Sequence, residues 1–310
     1  MKTSHVKGLG IIVPKKQVGS VVKTPDDMPA LHAVIVFCGR RGSGKSFGAI
    51  SLVKHYMDAG SIDRVFIISP TIHSNKALID LIKVADEDFY DEPNKAALDD
   101  VLEKVEIEAQ EYEEYHVKMK QYQKYLKYVK SGKGHIRDDE LTELWDGASI
   151  VPPKHKWDGR KPGLCLIIDD AQGSPLMMPK ARLMNMIIKH RHHGTFKEEP
   201  GALGITVIFC CQSLKAAGGG LPRAIRGNCT GFALFRTKDE KELMDAAQEC
   251  AGEVGIDTFF EVYDMAMKED HGFLYVDFAK KECHPSMFRS KLDKFLIPKE
   301  IEEDKAKNNK

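Results

Sequence analysis

The sequence FCGRRGSGKS, residues 37–46, decides how the rest of the chain is interpreted. It overlaps the end of an apolar run, Ala33 to Cys38, that is typical of a buried strand. From Gly39 to Ser46 it matches the pattern G-x-x-x-x-G-K-[ST], in which a glycine-rich loop joins a strand to a helix. The segment from Lys45 to about Met57 is predicted to be that helix, ending near Gly60. The motif therefore stands where its mechanism requires it.

Loops of this kind bind phosphate, because their backbone N–H groups point inward at a helix N-terminus and glycines keep bulky side chains away. We expect Lys45 to act in catalysis by reaching the β- and γ-phosphates of ATP, and the Ser46 hydroxyl to ligate Mg²⁺. A chance match to the four fixed positions occurs on the order of once per hundred chains. The residues predicted to bind the nucleotide are Gly39, Arg40, Arg41, Gly42, Ser43, Gly44, Lys45 and Ser46.

A phosphate loop also needs an acidic element, which we expect on a neighbouring strand. The apolar run Leu164 to Ile168 is followed directly by Asp169 and Asp170. Ligands of open α/β sheets bind at the carboxyl ends of the strands. Asp169 is therefore predicted to hold the magnesium ion, and Asp170 to be the base that activates water. The simpler alternative is an acidic turn between a strand and a loop.

A glutamine closes another apolar run. The segment Ile205 to Cys211 is predicted to be a strand, and Gln212 follows it. An uncharged amide at this edge of the sheet can donate and accept hydrogen bonds together. Gln212 is therefore predicted to sense the γ-phosphate or to position the attacking water.

Strands that alternate with helices predict an α/β fold with a central, mostly parallel sheet flanked by helices, and the motif from Gly39 to Ser46 predicts that this fold is a P-loop NTPase. A helical insertion is predicted between the second strand and the Asp-Asp strand. The other predicted strands are 64–69, 231–236, 273–278 and 287–292, and the other predicted helices are 177–192 and 239–251. The predicted organisation is an N-terminal arm at 1–30 with one short strand at 10–13, an ATPase domain at 31–295 with its insertion at about 90–150, and a charged disordered tail at 296–310.

The insertion is helical from Asn94 to Lys130, with apolar residues spaced by four and three. Its first half is acidic, and lysines dominate from Lys118 onward. Opposite halves would attract in an antiparallel pairing, within one chain or between subunits. Three interpretations stay open: a solvated protrusion with a packed seam, a contact with another subunit or a capsid protein, and DNA contact by the lysine half.

Composition limits the partners. The 46 basic and 46 acidic residues cancel, so any DNA contact must come from a local patch such as Lys189 to His193, or from Lys215. No apolar run approaches the roughly 18 residues that span a bilayer. The first apolar run, Gly8 to Val13, is too short for a signal peptide. We therefore expect an intracellular protein that is not an integral membrane protein.

Cysteine and histidine spacing argues against a zinc site. The seven cysteines include no C-x-x-C pair and are predicted to be reduced. Cys283 with His284, and the histidines at 190, 192 and 193, lack the spacing of finger or ribbon ligands. Structural or solvated roles are predicted for both groups.

In their order along the chain, these motifs resemble those of the FtsK/HerA superfamily of P-loop ATPases. Within it they resemble the viral genome-packaging branch of poxviruses and other DNA viruses. The residues that carry the resemblance are Gly39–Ser46, Leu166–Asp170, Asn185–Gly194, Val207–Gln212 and Leu221–Asn228. It covers roughly residues 30 to 280. The wider superfamily usually has Glu where this chain has the shorter Asp170.

The resemblance implies a homo-oligomeric ring, a pentamer or hexamer, that hydrolyses ATP and drives double-stranded DNA into a viral capsid. It also implies an arginine that reaches the γ-phosphate from the neighbouring subunit. Arg226 is the preferred candidate, with Arg223 and Arg191 as alternatives. Capsid or inner-membrane proteins of the virion would be further partners. The expected location is the host cytoplasm, in a viral factory, or the virion.

Two alternative functions stay open. The first is an assembly or scaffold module in which nucleotide acts as a switch and the helical insertion recruits a partner. The second is another FtsK/HerA-like ATPase that translocates DNA or resembles a helicase. DNA-stimulated ATP hydrolysis that falls as salt rises would favour the packaging motor over the first alternative.

Overall fold

The computed structural model describes residues 22–71, 76–131, 151–178, 182–215 and 220–298. The strands in these ranges are β1 (Val34–Cys38), β2 (Arg64–Ile68), β3 (Phe89–Tyr90), β4 (Leu164–Asp169), β5 (Thr206–Cys211), β6 (Gly231–Phe235), β7 (Phe273–Asp277), β8 (Phe288–Ser290) and β9 (Lys294–Leu296). The helices are α1 (Lys45–Asp58), α2 (Lys76–Ile79), α3 (Lys95–Ser131), α4 (Arg182–Ile188), α5 (Arg223–Arg226), α6 (Glu240–Cys250) and α7 (Ile256–Ala266).

One sheet contains all nine strands, in the order β3-β2-β4-β5-β1-β6-β7-β8-β9. The six strands from β3 to β6 are parallel. The strands β7, β8 and β9 extend the sheet in antiparallel fashion from β6. The predicted fold class, an α/β protein with a mostly parallel sheet flanked by helices, is confirmed.

The expected adjacency of the Asp-Asp strand and the loop strand is wrong. Strand β5 lies between β1 and β4, because the chain returns to the middle of the sheet after β4. The three strands nevertheless end at the same level, with Cys38 opposite Cys211 and Asp169 opposite Cys210. The residues that follow β1, β4 and β5 therefore meet at one edge of the sheet.

Alternate strand residues enter two different cores. Ile35 and Phe37 of β1 face α1 and join a cluster with Ile50 and Tyr56. Their neighbours on the opposite face join a larger cluster that includes the first half of α3 and residues of α4 to α7. Central strands buried on both faces read as continuous apolar runs, which is why the sequence marked them clearly.

Helix α3 is a single continuous helix of 37 residues. Its first half packs on the sheet, where Leu98 and Val105 are fully buried, whereas Val129 near its end is 55% exposed. Glu108, buried in the acidic half, forms ion pairs with Arg64 and Lys156. Glu108 therefore pairs with basic residues of the domain outside α3, and these ion pairs hold the first half of the helix in place.

Some local predictions differ from the structure. The helix predicted for 177–192 is divided into 3₁₀ turns at Pro175–Met177 and His190–His192 with the short α4 between them. Helix α7 and the short strands β3 and β9 had no clear sequence signal. The strand predicted at 10–13 and most of the predicted tail lie outside the described residues.

The described part of the predicted N-terminal arm packs against the domain. The Tyr56 hydroxyl donates to the carbonyl of Pro29 at 3.0 Å, and Ser61 donates to the carbonyl of Lys23 at 2.8 Å. His284 and Arg289 bond the carbonyls of the neighbouring residues Asp26 and Asp27. Residues 22–29 thus lie across the domain as a strap.

Candidate functional site

The glycine loop forms the turn that its sequence predicts. Gly42 and Gly44 have positive φ angles of 77° and 98°, a region that glycine enters without strain. Gly44 is also the N-cap residue of α1, and no side chain caps this end of the helix. The first N–H groups of α1 therefore remain available to an anion, as the phosphate-loop mechanism requires.

Gly39 is needed for a different reason, because the loop approaches β6 closely. A Cβ atom added to Gly39 would lie 2.6 Å from the Cβ of Phe235 and 2.8 Å from the Ser43 hydroxyl oxygen. Any other residue would push the loop away from the sheet. The first glycine of the motif therefore fixes where the loop begins.

Lys45, Ser46 and Asp169 converge at the start of α1. The Lys45 side chain is 7% exposed, and its Nζ donates to the Arg40 carbonyl at 3.1 Å. The Ser46 hydroxyl donates to Oδ2 of Asp169 at 2.8 Å. Lysine, hydroxyl and carboxylate thus form one cluster around the loop, although Asp169 comes from β4.

The surroundings of Asp169 fit its predicted role as a residue that holds the magnesium ion. It is 3% exposed, and its Oδ1 atom has no hydrogen-bond partner among the residues that the structure describes. Burial raises the pKa of this carboxyl group, and the nearby charge of Asp170 raises it further, while the Ser46 hydrogen bond opposes both. The unpaired carboxylate oxygen of Asp169 and the Ser46 hydroxyl are both hard oxygen ligands of the kind that Mg²⁺ prefers.

Asp170 lies in the turn that follows β4. Its φ angle is 50°, in the left-handed region that aspartate tolerates better than most residues. Thr71, just beyond β2, donates to its Oδ2 at 3.3 Å. The two carboxylates therefore point into different surroundings, with Asp169 against α1 and Asp170 toward the end of β2.

Gln212 lies at the end of β5, and its side chain is exposed. Its backbone N–H donates to Oε1 of Gln172 at 2.7 Å. The Gln172 amide in turn donates to the Ser213 carbonyl at 3.1 Å. Gln172 therefore links the turn after β4 to the end of β5.

The three candidate arginines have different surroundings. Arg226 forms an ion pair with Glu249 at 3.0 Å, and it also donates to the carbonyls of Leu214 and Leu221. Arg223 and Arg191 are exposed. The preferred candidate is thus used inside its own chain, whereas both alternatives face outward.

Two cavities adjoin the loop. The smaller, about 330 Å³, is lined by the cations Arg40, Arg41, Arg236 and Lys238 together with acidic residues of the 269–270 turn. The larger, about 760 Å³, begins at Gly42 and Gly44 and runs along one face of α1. Its apolar lining comprises Phe47, Phe235, Phe273 and Leu292. Phe47 is 59% exposed, so its ring is open to this cavity.

The histidines and lysines that the sequence suggested as metal ligands or DNA contacts have different surroundings. His190 and His193 bond the carbonyls of Ile187 and Met186, and burial lowers the pKa of both. In the described ranges, no three metal-ligating side chains of His, Cys, Asp or Glu come together. Lys215 is paired with Asp245 and Glu249, whereas Lys189 is exposed.

None of the described helices is both long and apolar enough to cross a membrane.

Sequence reasoning missed two groups near the site. Gln172 follows the acidic pair by two positions, and no pattern distinguished it from an ordinary loop glutamine. Phe47, Ser51 and His55 are spaced by four along α1, a signal for one helical face that could have drawn attention to the larger cavity. The tertiary structure shows both, because Gln172 bonds the end of β5 and Phe273 of β7 lines the cavity beside α1.

No protein-family model matches the chain, and no curated protein sequence matches it. Several solved structures are similar to it, and three of them are described here. The genome-packaging NTPase B204 of Sulfolobus turreted icosahedral virus 2, in complex with ATPγS, is 13% identical over 84% of this chain and 96% of that chain, with a TM-score of 0.41. The DNA-packaging ATPase B204 of Sulfolobus turreted icosahedral virus is 14% identical over 84% and 97% of the two chains, with a TM-score of 0.42.

The third is EssC, ATPases 2 and 3, from Geobacillus thermodenitrificans. It is 13% identical, with a TM-score of 0.43, and the match covers 88% of this chain and 42% of that chain.

Proposed function

We propose that this protein is an ATPase that binds ATP with Mg²⁺ at the loop of residues 39–46 and hydrolyses it to move double-stranded DNA. The observation that carries the proposal is the hydrogen bond of 2.8 Å between Ser46 and Asp169. This contact supports the proposal because it brings together a hydroxyl and a buried carboxylate, the two oxygen donors that would hold a magnesium ion beside a bound phosphate. Magnesium, when bound, would neutralise charge that develops on the phosphates.

Each residue of the cluster has a task in this proposal. The free N–H groups at the start of α1 bind phosphate oxygens, and Lys45 exchanges the Arg40 carbonyl for a phosphate oxygen. Asp170 accepts a proton from the attacking water, and Gln212 orients that water. The nucleobase lies in the larger cavity against Phe47, since this cavity begins at the loop and is mainly apolar.

The use of ATP for DNA packaging is supported by the ordered set of motifs, which resembles that of the viral packaging branch of FtsK/HerA ATPases. In this proposal the protein works as a homo-oligomeric ring in the host cytoplasm or the virion. An arginine of the neighbouring subunit completes the site. Arg223 or Arg191 suits that task better than Arg226, because both are exposed.

The decisive experiment measures the ATPase rate with and without linear duplex DNA, and the mass of the assembly in the presence of ATP. We expect a ring, a rate that DNA stimulates, and a stimulation that falls as salt rises because phosphate contacts release counterions. Asp170→Asn should bind ATP but hydrolyse it at least about 100-fold more slowly. Asp158→Asn is the matched control, since Asp158 is exposed and has the same φ angle of 50°.

Two outcomes would contradict parts of the proposal. An equal rate with and without DNA would contradict the motor. Tight ATP binding with no turnover in the wild type would instead favour the nucleotide-switched assembly module.

A further inference from the structure

The side chain of Gln172 connects two chain segments that carry predicted catalytic residues. Its Oε1 accepts a hydrogen bond from the Gln212 backbone N–H at 2.7 Å. Its Nε2 donates to the Ser213 carbonyl at 3.1 Å. A carboxamide can form both bonds at once because it carries an acceptor at one end and a donor at the other.

The conformation of the turn places Gln172 there. The backbone ladder between β4 and β5 ends with Asp169 opposite Cys210. Beyond it, the left-handed conformation of Asp170 turns the chain, and Ala171 is buried. Gln172 then lies beside the end of β5 and continues the connection between the two strands past their last backbone pair.

We propose that Gln172 is a positioning residue, which holds Gln212 in a fixed place relative to the Asp169–Asp170 turn. The inference rests on the proposed ATPase function and assigns Gln172 no contact with nucleotide. Gln172 bonds the backbone of Gln212 and Ser213, and it thereby fixes the position of the backbone from which the exposed Gln212 side chain extends.

Loss of this link should lower the rate of hydrolysis and leave nucleotide affinity nearly unchanged, because neither bond involves the phosphate loop. A shift of a catalytic group by about 1 Å can cost about 100-fold in rate. We expect Gln172→Ala to lower kcat by about 10- to 100-fold, with KM for ATP within about threefold of wild type. In Gln172→Glu, the carboxylate accepts from Gln212 but cannot donate to Ser213, so an intermediate kcat is expected.

A double variant separates positioning from a general loss of structure. If Gln172 acts through Gln212, Gln172→Ala combined with Gln212→Ala should be no more than about twofold slower than the slower single variant. The proposal would be overturned if the fold losses in kcat of the two single variants multiplied in the double variant. It would also be overturned if Gln172→Ala changed kcat and KM to a similar extent. Gln123→Ala, at an exposed position of α3, is the matched control and should change neither constant.

Hydrogen exchange tests the link without any catalysis. In the protein without nucleotide, the Gln212 amide should exchange about tenfold faster in Gln172→Ala than in wild type or Gln123→Ala. Unchanged exchange would overturn the proposal, whether or not the protein hydrolyses ATP. If exchange is faster in Gln172→Ala than in wild type but the wild type has no ATPase activity, the result would support the link and contradict the proposed function alone.

Discussion

Ser46 and Asp169 form a hydrogen bond of 2.8 Å although 123 positions separate them in the sequence. Ser46 belongs to the first turn of α1, and Asp169 is the last residue of β4. Strand β5 lies between their two strands in the sheet. The contact therefore depends on three strands that end at the same level of the sheet, and the predictions below test what it supports.

The Lys45 side chain should be required for binding of the triphosphate. Lys45→Ala removes a buried ammonium group from the loop, and we expect the affinity for ATP to fall at least tenfold, which is about 1.4 kcal/mol. Equilibrium binding of a fluorescent ATP analogue measures this. Lys54→Ala, on the exposed side of the same helix, should leave binding unchanged, and an equal loss in both variants would argue against a specific role for Lys45.

Asp169 should make nucleotide binding depend on magnesium and on pH. Metal ligation needs the ionised carboxylate, and burial raises the pKa of Asp169, so protonation at falling pH removes the ligand earlier than for an exposed aspartate. We therefore expect the magnesium-dependent part of ATP affinity to be full at neutral pH and to decline on acidification. Asp169→Asn should abolish that part at every pH.

The check on Asp169 is titration calorimetry of ATP with and without Mg²⁺ at several pH values. A magnesium effect of wild-type size in Asp169→Asn would remove Asp169 from the proposed site.

Phe47 should bind the base and not the phosphates. Phe47→Ala should weaken ATP binding by about 3- to 10-fold, since aromatic contacts add about 0.5 to 1.5 kcal/mol. Binding of inorganic triphosphate should not change. Competition assays with both ligands measure the difference, with the exposed Phe278→Ala as the control. Equal weakening of both ligands would indicate damage to the loop.

Arg226 should contribute to stability more than Arg223 does. Arg226→Ala removes the hydrogen bonds to Glu249 and to the carbonyls of Leu214 and Leu221, and we expect it to lower the free energy of unfolding by roughly 2 kcal/mol, although Glu249 keeps its ion pair with Lys215. Arg223→Ala, at an exposed position of the same short helix, should stay within about 0.5 kcal/mol. Urea denaturation compares them.

The ATPase rates of the same two variants then identify the arginine. If Arg223 reaches the neighbouring site, Arg223→Ala lowers kcat at unchanged stability. A normal rate in Arg223→Ala would leave Arg191 as the exposed candidate to test next.

Glu108 should hold α3 on the sheet. Its carboxylate is 1% exposed and accepts hydrogen bonds from Arg64, Lys156 and the Trp157 indole. Breaking a buried ion pair costs about 3 to 5 kcal/mol, so Glu108→Ala should lower the free energy of unfolding by roughly that amount. Glu114→Ala, in an exposed pair with Lys118, should cost less than about 0.5 kcal/mol.

The same glutamate gives a pH dependence of stability. Burial alone raises the pKa of Glu108, but the hydrogen bonds from Lys156, Trp157 and Arg64 outweigh it, and the net pKa is lowered. The stabilisation is therefore present above the ordinary pKa of glutamate and is lost as pH falls through the lowered value. Unfolding of wild type and Glu108→Ala should converge in acid, and a constant difference at every pH would contradict this account.

The sequence determined the parts of this protein that depend on local chemistry. The pattern from Gly39 to Ser46 places glycines, an ammonium and a hydroxyl at one helix end whatever surrounds them, because the motif is contiguous. The central strands were predicted because both of their faces are buried, which leaves a continuous apolar run. Helix α7 escaped prediction since its short apolar pattern does not by itself distinguish a buried helix from a strand.

Only the tertiary structure decided which distant groups meet. The sequence placed Asp169 and Gln212 at strand ends, but strand order is a property of the whole chain, and the position of β5 between β1 and β4 could not be read from either segment. The inward contacts of Arg226 and the link from Gln172 to Gln212 arise in the same way. Side chains at the ends of parallel strands become neighbours only after the sheet has been assembled, since long-range pairing, and not local propensity, sets their distance.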